Sequence, residues 1–171
     1  MMKSLRGSVL RIFPPDTNTD EVISGKYKYD ELDLRKLAVH AFESIDPTFY
    51  SDARKAEKPI LVAARNFGCG SSREQAPQVI KACDVQCIIA DSFARIFYRN
   101  GFNIGLPLIE CKGIADGAAQ GDMLEVDFNK GIVRNITRNS TLKFKPIPQF
   151  MQELLEAGGL MPYLKRKGGY K

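Results

Sequence analysis

The sequence predicts an α/β fold with a parallel central layer, flanking helices and a second, antiparallel β layer. Three observations carry that expectation. Short continuous apolar runs at residues 60–64, 87–90 and 106–109 have the length and character of strands, the first two buried on both faces. Helical patterns separate them, so strand, helix, strand, helix, strand follow in series, and right-handed crossovers make such a series parallel with its helices against the sheet. Downstream, runs at residues 123–128 and 132–137 flank Asn129-Lys130-Gly131, a hairpin signal.

The elements follow in order. Residues 5–13 are rich in apolar side chains and end at Pro14-Pro15, which suits a first strand stopped by residues that cannot continue a ladder. Asp16-Thr17-Asn18-Thr19-Asp20-Glu21 reads, taken alone, as turn and capping chemistry. Residues 25–30, with Lys26, Tyr27, Lys28 and Tyr29, form a second polar, aromatic-containing loop. From Asp33, a suitable N-cap, the residues Leu34, Leu37, Ala38, Ala41 and Phe42 trace the stripe of an amphipathic helix ending at Asp46-Pro47. Residues 49–58 read as a charged connection. Beyond the run at 60–64, Ala76, Val79, Ile80 and Cys83 give another helical stripe. Asp91 or Ser92 then caps a short helix through Phe93, Ile96 and Phe97, with Gly101 near its end. Pro107 makes the strand at 106–109 an edge strand. Residues 142–145 add a further strand, and Phe150, Met151, Leu154 and Leu155 form a closing helix stopped by Gly158-Gly159, with a short segment at Tyr163-Leu164.

At 171 residues and 44% hydrophobic composition, the chain is long enough to bury a full core and is expected to form one domain, residues 1–171. Its net charge of +5 is spread along the chain and only the tail from residue 165 is locally dense, which points to a solvated tail before a nucleic-acid patch. There is no long apolar region at the start, and no run approaches the roughly eighteen apolar residues of a membrane span. Four cysteines, Cys69, Cys83, Cys87 and Cys111, are too few for a disulfide scaffold and suggest reduced thiols in a cytoplasm. With a single histidine, His40, no zinc set is visible.

Chemistry concentrates in Asn66-Phe67-Gly68-Cys69-Gly70-Ser71-Ser72-Arg73-Glu74, between a buried strand and a helix start. It is neither a P-loop nor a dinucleotide fingerprint, because the lysine of the first and the third glycine of the second are absent. Ser71 with Glu74, and Ser72 with Gln75, match capping boxes, so a helix start with no ligand accounts for the spacing as well. Against that stand a guanidinium, two hydroxyls and first-turn N–H groups at the end of a central strand, a set matched to a carboxylate. The same groups stabilise an alkoxide as they stabilise any oxyanion. No partner base is visible, and His40 lies in no triad pattern. The chain therefore offers a carboxylate-binding loop without a complete reaction centre, as if the other half belonged to another chain.

This loop, followed by Asp91-Ser92-Phe93-Ala94-Arg95-Ile96-Phe97-Tyr98-Arg99-Asn100 and by Gly105-Leu106-Pro107-Leu108, resembles the swivel domain of the aconitase superfamily, and the length resembles the free-standing small subunits of 3-isopropylmalate dehydratases. The resemblance runs from the first strand to the closing helix. It implies a swivel-type β/β/α domain and a cytoplasmic hydro-lyase subunit of leucine biosynthesis, inactive without a large subunit that carries a [4Fe-4S] cluster and completes the site. It implies no cofactor or metal ligand on this chain, Cys69 included, and no nucleic-acid or membrane partner; a homo-oligomer is possible when the chain is isolated. Carried over by position, Ser71 is the general base and Arg73 grips a substrate carboxylate, with Ser72 and Gly70 beside them. Thr19-Asp20 matches the family's Thr-Asp pair, and Asp20 assists proton transfer. Gln75 departs from the histidine many members have there. Residues 25–30 resemble the specificity loop, where Tyr27, Lys28 and Tyr29 would face the substrate. The aromatic ring of Tyr29 favours an isopropyl group, while Lys28 keeps homocitrate or dimethylmalate as the alternative. A non-catalytic anion- or RNA-binding domain is the remaining alternative.

Overall fold

The computed structural model describes residues 2–27, 33–71 and 74–169. Seven strands form one sheet in the order β4-β3-β2-β1-β5-β6-β7. They are β1 Ser4–Phe13, β2 Pro59–Ala63, β3 Cys87–Ala90, β4 Leu108–Glu110, β5 Met123–Asp127, β6 Ile132–Asn135 and β7 Ser140–Lys143. The pairs β1–β2, β2–β3 and β3–β4 are parallel, whereas β1–β5, β5–β6 and β6–β7 are antiparallel. The antiparallel layer is thus joined to the parallel one through β1. Its first half pairs with β5 and its second with β2, and Ser8 belongs to both ladders.

Burial explains the sequence patterns. Every residue of β2 and β3 is buried, so both read as unbroken apolar runs. Along β5 and β6 buried and half-buried residues alternate, the signature of a sheet with one covered face. The helices are α1 Thr19–Val22, α2 Leu34–Ala38, α3 Phe49–Lys55, α4 Gln75–Ala82, α5 Arg95–Asn103, α6 Ile114–Gly117, α7 Gln149–Ala157 and α8 Leu160–Arg166, with a 3-10 turn at Gly25–Tyr27. α2, α4 and α5 pack in succession, α6 sits against β2 and β3, and α7 bridges α5 and α8. Gly158, at φ 88°, ends α7 where expected. Among the described residues no helix is long and apolar enough to cross a membrane.

Four local expectations need correction. The stripe at 34–42 is helical only through α2, because Phe42 turns to φ 54°, donates its N–H to the Val22 carbonyl at 2.8 Å and stacks on Phe13 at 4.4 Å. Core packing of one ring overrides the local periodicity. The connection expected at 49–58 contains α3, which buries Phe49 and Ala53 at i, i+4. Arg11 anchors it by pairing with Asp46 and Asp52, each at 2.6 Å. α5 begins at Arg95 with Ala94 as its N-cap, since Ser92 Oγ accepts from the Asn66 N–H and Asp91 Oδ1 from the Gly113 N–H. Finally, α4 starts at Gln75 after Glu74, which makes no side-chain cap bond, so the Ser71–Glu74 capping box does not form.

At the entry to β5, Asp122 is 6% exposed and its Oδ2 accepts from Asn135 Nδ2 at 2.8 Å, the Ala119 N–H at 2.9 Å and Arg138 Nε at 2.7 Å. The Asn135 bond foremost, then those from Ala119 and Arg138, hold its carboxyl below the usual carboxylate range against the opposing effect of burial. A folded pKa below the unfolded one contributes stability above the unfolded value, about 3.9, that is lost as pH falls through the folded value. Thermal unfolding followed from pH 7 to pH 2 is expected to show this acid loss, and Asp122→Asn is expected to lower stability at pH 7 while flattening the acid limb.

Candidate active site

The carboxyl ends of β1, β2 and β3 converge on residues 64–71, the position where α/β sheets hold ligands. Beyond β2, Asn66 takes a left-handed turn at φ 56°; its N–H donates to Ser92 Oγ and its Nδ2 to Asp16 Oδ1, both at 2.8 Å. The chain is then paired on both edges. On one edge the Phe67 N–H donates to the Ser92 carbonyl and the Ala94 N–H to the Phe67 carbonyl, at 3.1 and 2.9 Å. On the other the Gly68 N–H donates to the Thr17 carbonyl and the Thr19 N–H to the Cys69 carbonyl, at 2.8 and 2.9 Å.

Both glycines are required, for different reasons. Gly68 lies at φ 81° and a Cβ there would fall 2.2 Å from Phe97 Cγ. The space is taken by an aromatic group in which Phe97 meets Phe67 edge-on at 5.3 Å. Gly70, at φ 97°, has only ordinary contacts around the position of a Cβ, the nearest at 3.5 Å, so it is demanded by backbone conformation alone. This turn brings Ser71 back over α1. Thr19 Oγ1 donates to the Ser71 carbonyl at 2.9 Å and lies 3.5 Å from Ser71 Oγ.

Ser71 is exposed and opens onto a cleft of about 480 Å³. Thr19, Asn66, Gly68 and Gly70 line the same cleft, as do Arg95, Ile96, Arg99 and Asn100 of α5. The N-cap of α5, Ala94, makes no side-chain bond to the first turn, so N–H groups there lack a side-chain partner. Arg95 and Arg99 stand one turn apart, and neither is in an ion pair with a described acid. A hydroxyl that shares a cleft with two guanidinium groups lacking an acid partner among the described residues, and with a helix start, is an environment suited to an anionic, carboxylate-bearing ligand.

The four thiols, Cys69, Cys83, Cys87 and Cys111, are free and do not gather into a group of three with one another or with His, Asp or Glu among the described residues. Burial pushes the Cys83 thiol up to about 12 and Cys111 to about 11, and Cys87 is raised further in the same direction. Cys69 Sγ donates to the Asp16 carbonyl at 3.3 Å, and burial, with the Asp16 charge, raises its pKa as well. Among the described residues no three His, Cys, Asp or Glu side chains are grouped so as to hold a metal ion.

The same segments carry the similarity to known proteins. Residues 16–113 match the family model of the aconitase C-terminal domain. A 3-isopropylmalate dehydratase small subunit from Caldicellulosiruptor saccharolyticus is 52% identical over 148 residues, covering 86% of this chain and 84% of the relative. The isopropylmalate/citramalate isomerase small subunit of Methanocaldococcus jannaschii is 45% identical over 168 residues, 98% of this chain and 97% of that one. The chain belongs to the 3-isopropylmalate dehydratase small-subunit family. A crystal structure of 3-isopropylmalate dehydratase from Methanocaldococcus jannaschii matches its fold with a TM-score of 0.87 at 39% identity, covering 96% of this chain and 95% of that one. The shared designation as small subunits implies a larger partner subunit.

Within this family member the expected site residues separate. Ser71 and Gly70 line the cleft. Asp20 occupies the first turn of α1 with an exposed side chain and is not among the lining residues; its neighbour Thr19 is. Tyr27 stacks on His40 at 3.8 Å and donates its hydroxyl to Glu43 Oε2 at 2.5 Å, beside a separate depression of about 260 Å³ lined by Glu21, Lys26, His40 and Glu43. Lys28, Tyr29, Ser72 and Arg73 lie outside the described residues. Arg95, Arg99 and Asn100 were missed as cleft residues, although their spacing of four and five along a helix was an available signal.

The two glycines separate by unfolding in denaturant. Gly70→Ala is expected to cost about 1–2 kcal/mol for a left-handed non-glycine residue, whereas Gly68→Ala is expected to cost about 1–3 kcal/mol more through the collision with Phe97.

Proposed function

We propose that this chain is the small subunit of a hydro-lyase that interconverts 3-isopropylmalate and 2-isopropylmalate by dehydration and rehydration, a step of leucine biosynthesis. The observation that carries this reading is that the exposed Ser71 lines the same cleft as Arg95 and Arg99. A doubly charged hydroxy acid matches that charge, and the reaction needs a base at a carbon-bound proton. Ser71 Oγ, as an alkoxide, takes this proton and becomes a hydroxyl while the substrate hydroxyl leaves as hydroxide, forming the alkene. Return of the proton from Ser71 and of hydroxide, each to the carbon that lost the other, completes the isomerisation. By the family resemblance, Arg73 grips a carboxylate, Ser72 and Gly70 share in substrate binding and Asp20 assists the proton network. Tyr27, Lys28 and Tyr29 are assigned to substrate choice.

A [4Fe-4S] cluster held by the large subunit would supply Lewis acidity toward the substrate hydroxyl, and no group of this chain is assigned to hold it. Residues 1–171 act as one swivel domain in the cytoplasm, closing over that partner without nucleic acid or membrane. An aromatic at Tyr29 supports isopropylmalate; Lys28 supports a second reading in which homocitrate or dimethylmalate is turned over. The citramalate in the name of the Methanocaldococcus jannaschii relative adds a fourth substrate to compare.

In the complex reconstituted with the cluster-bearing large subunit, Ser71→Ala is expected to lower kcat by about 10²–10⁴-fold, the range for loss of a positioned acid–base group, with a smaller effect on KM. An unchanged kcat removes Ser71 as the base. Turnover of isopropylmalate above homocitrate, dimethylmalate and citramalate is expected in the same assay, and the reverse ranking assigns the chain to another substrate.

A further inference from the structure

The sequence resemblance singles out the pair Thr19-Asp20 and gives the proton-transfer role to Asp20, whereas the geometry points to Thr19. We propose that Thr19 is a positioning residue, whose hydroxyl sets the place and activation of Ser71 Oγ. This inference rests on the reading of Ser71 as the base.

Thr19 is 2% exposed although it lines an open cleft, so its hydroxyl is held inside the wall. Its backbone is locked from both directions. The Thr19 N–H donates to the Cys69 carbonyl at 2.9 Å. The preceding Asn18 forms a complete capping box, its Oδ1 accepting from the Asp20 and Glu21 N–H groups at 2.9 and 3.0 Å while its own N–H donates to Glu21 Oε2 at 2.8 Å. A β-branched side chain on so fixed a backbone has little rotamer freedom.

That side chain makes the hydrogen-bonding contacts of Ser71 with other described side chains. Oγ1 donates its hydrogen to the Ser71 carbonyl at 2.9 Å and lies 3.5 Å from Ser71 Oγ, fifty-two residues away in the chain. A hydroxyl has one hydrogen and two acceptor sites. With the hydrogen committed to the carbonyl, Thr19 Oγ1 is an acceptor toward a neutral Ser71. When Ser71 is an alkoxide, the same hydrogen can rotate to the charged oxygen, where a charge-assisted bond is about twice as strong as a neutral one. No covalent bond is made or broken at Thr19. The contact at 3.5 Å tightens as charge appears on Ser71. Gly70 serves the same end, since its φ of 97° folds the chain back over Thr19.

The test uses the complex with the large subunit at saturating partner concentration, comparing the parent chain with T19S, T19V and S71A. T19S keeps the hydroxyl and is expected to retain kcat within about threefold, whereas isosteric T19V is expected to lose about 10–100-fold in kcat, the worth of a hydrogen bond to a charged group. KM is expected to stay within about twofold for both. T19V with parental kcat overturns the inference, and so does T19S falling as far as T19V, because packing of the methyl group would then be what matters. If T19V does not assemble with its partner, T19A is read by the same criteria. S71A separates the two levels: parental kcat in S71A removes the base reading itself, whereas a dead S71A beside an active T19V removes only the role of Thr19.

Discussion

Residues 67–69 leave the central strand β2 and stay hydrogen-bonded on one edge to residues 17–19 and on the other to residues 92–94. A glycine loop paired on both edges is an extension of the sheet, and this constraint sets everything around it. It carries the order of the sheet past its last regular residue, so Ser71 is presented from a fixed backbone although it stands in solvent. It fixes where α5 begins, because Ser92 and Ala94 are spent on the loop and helix can start only at Arg95. It also places Phe67 among Phe13, Phe93 and Phe97, tying the loop to the core beneath it. The loop and α5, which line the cleft, are therefore one mechanical unit.

The strand β1 links this unit to the rest of the chain. By pairing parallel with β2 and antiparallel with β5 it lets one sheet contain both a ligand-binding end and a hairpin extension. Segments that leave the ends of β1, β2 and β3 line the cleft together with α5. What this assembly provides is a base candidate and positive charge. It provides no metal-ligand group among the described residues, and the buried thiols, raised by desolvation, are built into the core.

Much of this was legible in the residues themselves. Unbroken apolar runs identified β2 and β3 because burial on both faces removes any alternation, and the hairpin declared itself through Asn129-Lys130-Gly131. The losses have physical causes. Phe42 follows a helical stripe yet unwinds it, because a ring that stacks on Phe13 is worth more than another turn of a short helix. α3 reads as a charged connection because only Phe49 and Ala53 of it are buried, while Asp52 pairs with Arg11 and Arg54 with Asp84. Asp91 and Ser92 look like helix caps and are instead cross-links over long sequence distances, which no local pattern reveals. The candidate loop is recognisable in the sequence from its glycines and hydroxyls. The contact of Thr19 with Ser71 is not, since a contact across fifty-two residues exists only once β1 and β2 lie side by side.

The central claim is that this chain is one half of an active site. It is tested most directly by titrating the purified chain into a fixed amount of the cluster-bearing large subunit and following isopropylmalate isomerisation. The account predicts no turnover from either chain alone and activity that rises to a plateau at equal amounts of the two. Full turnover from the large subunit without this chain, or from this chain without the large subunit, would contradict it.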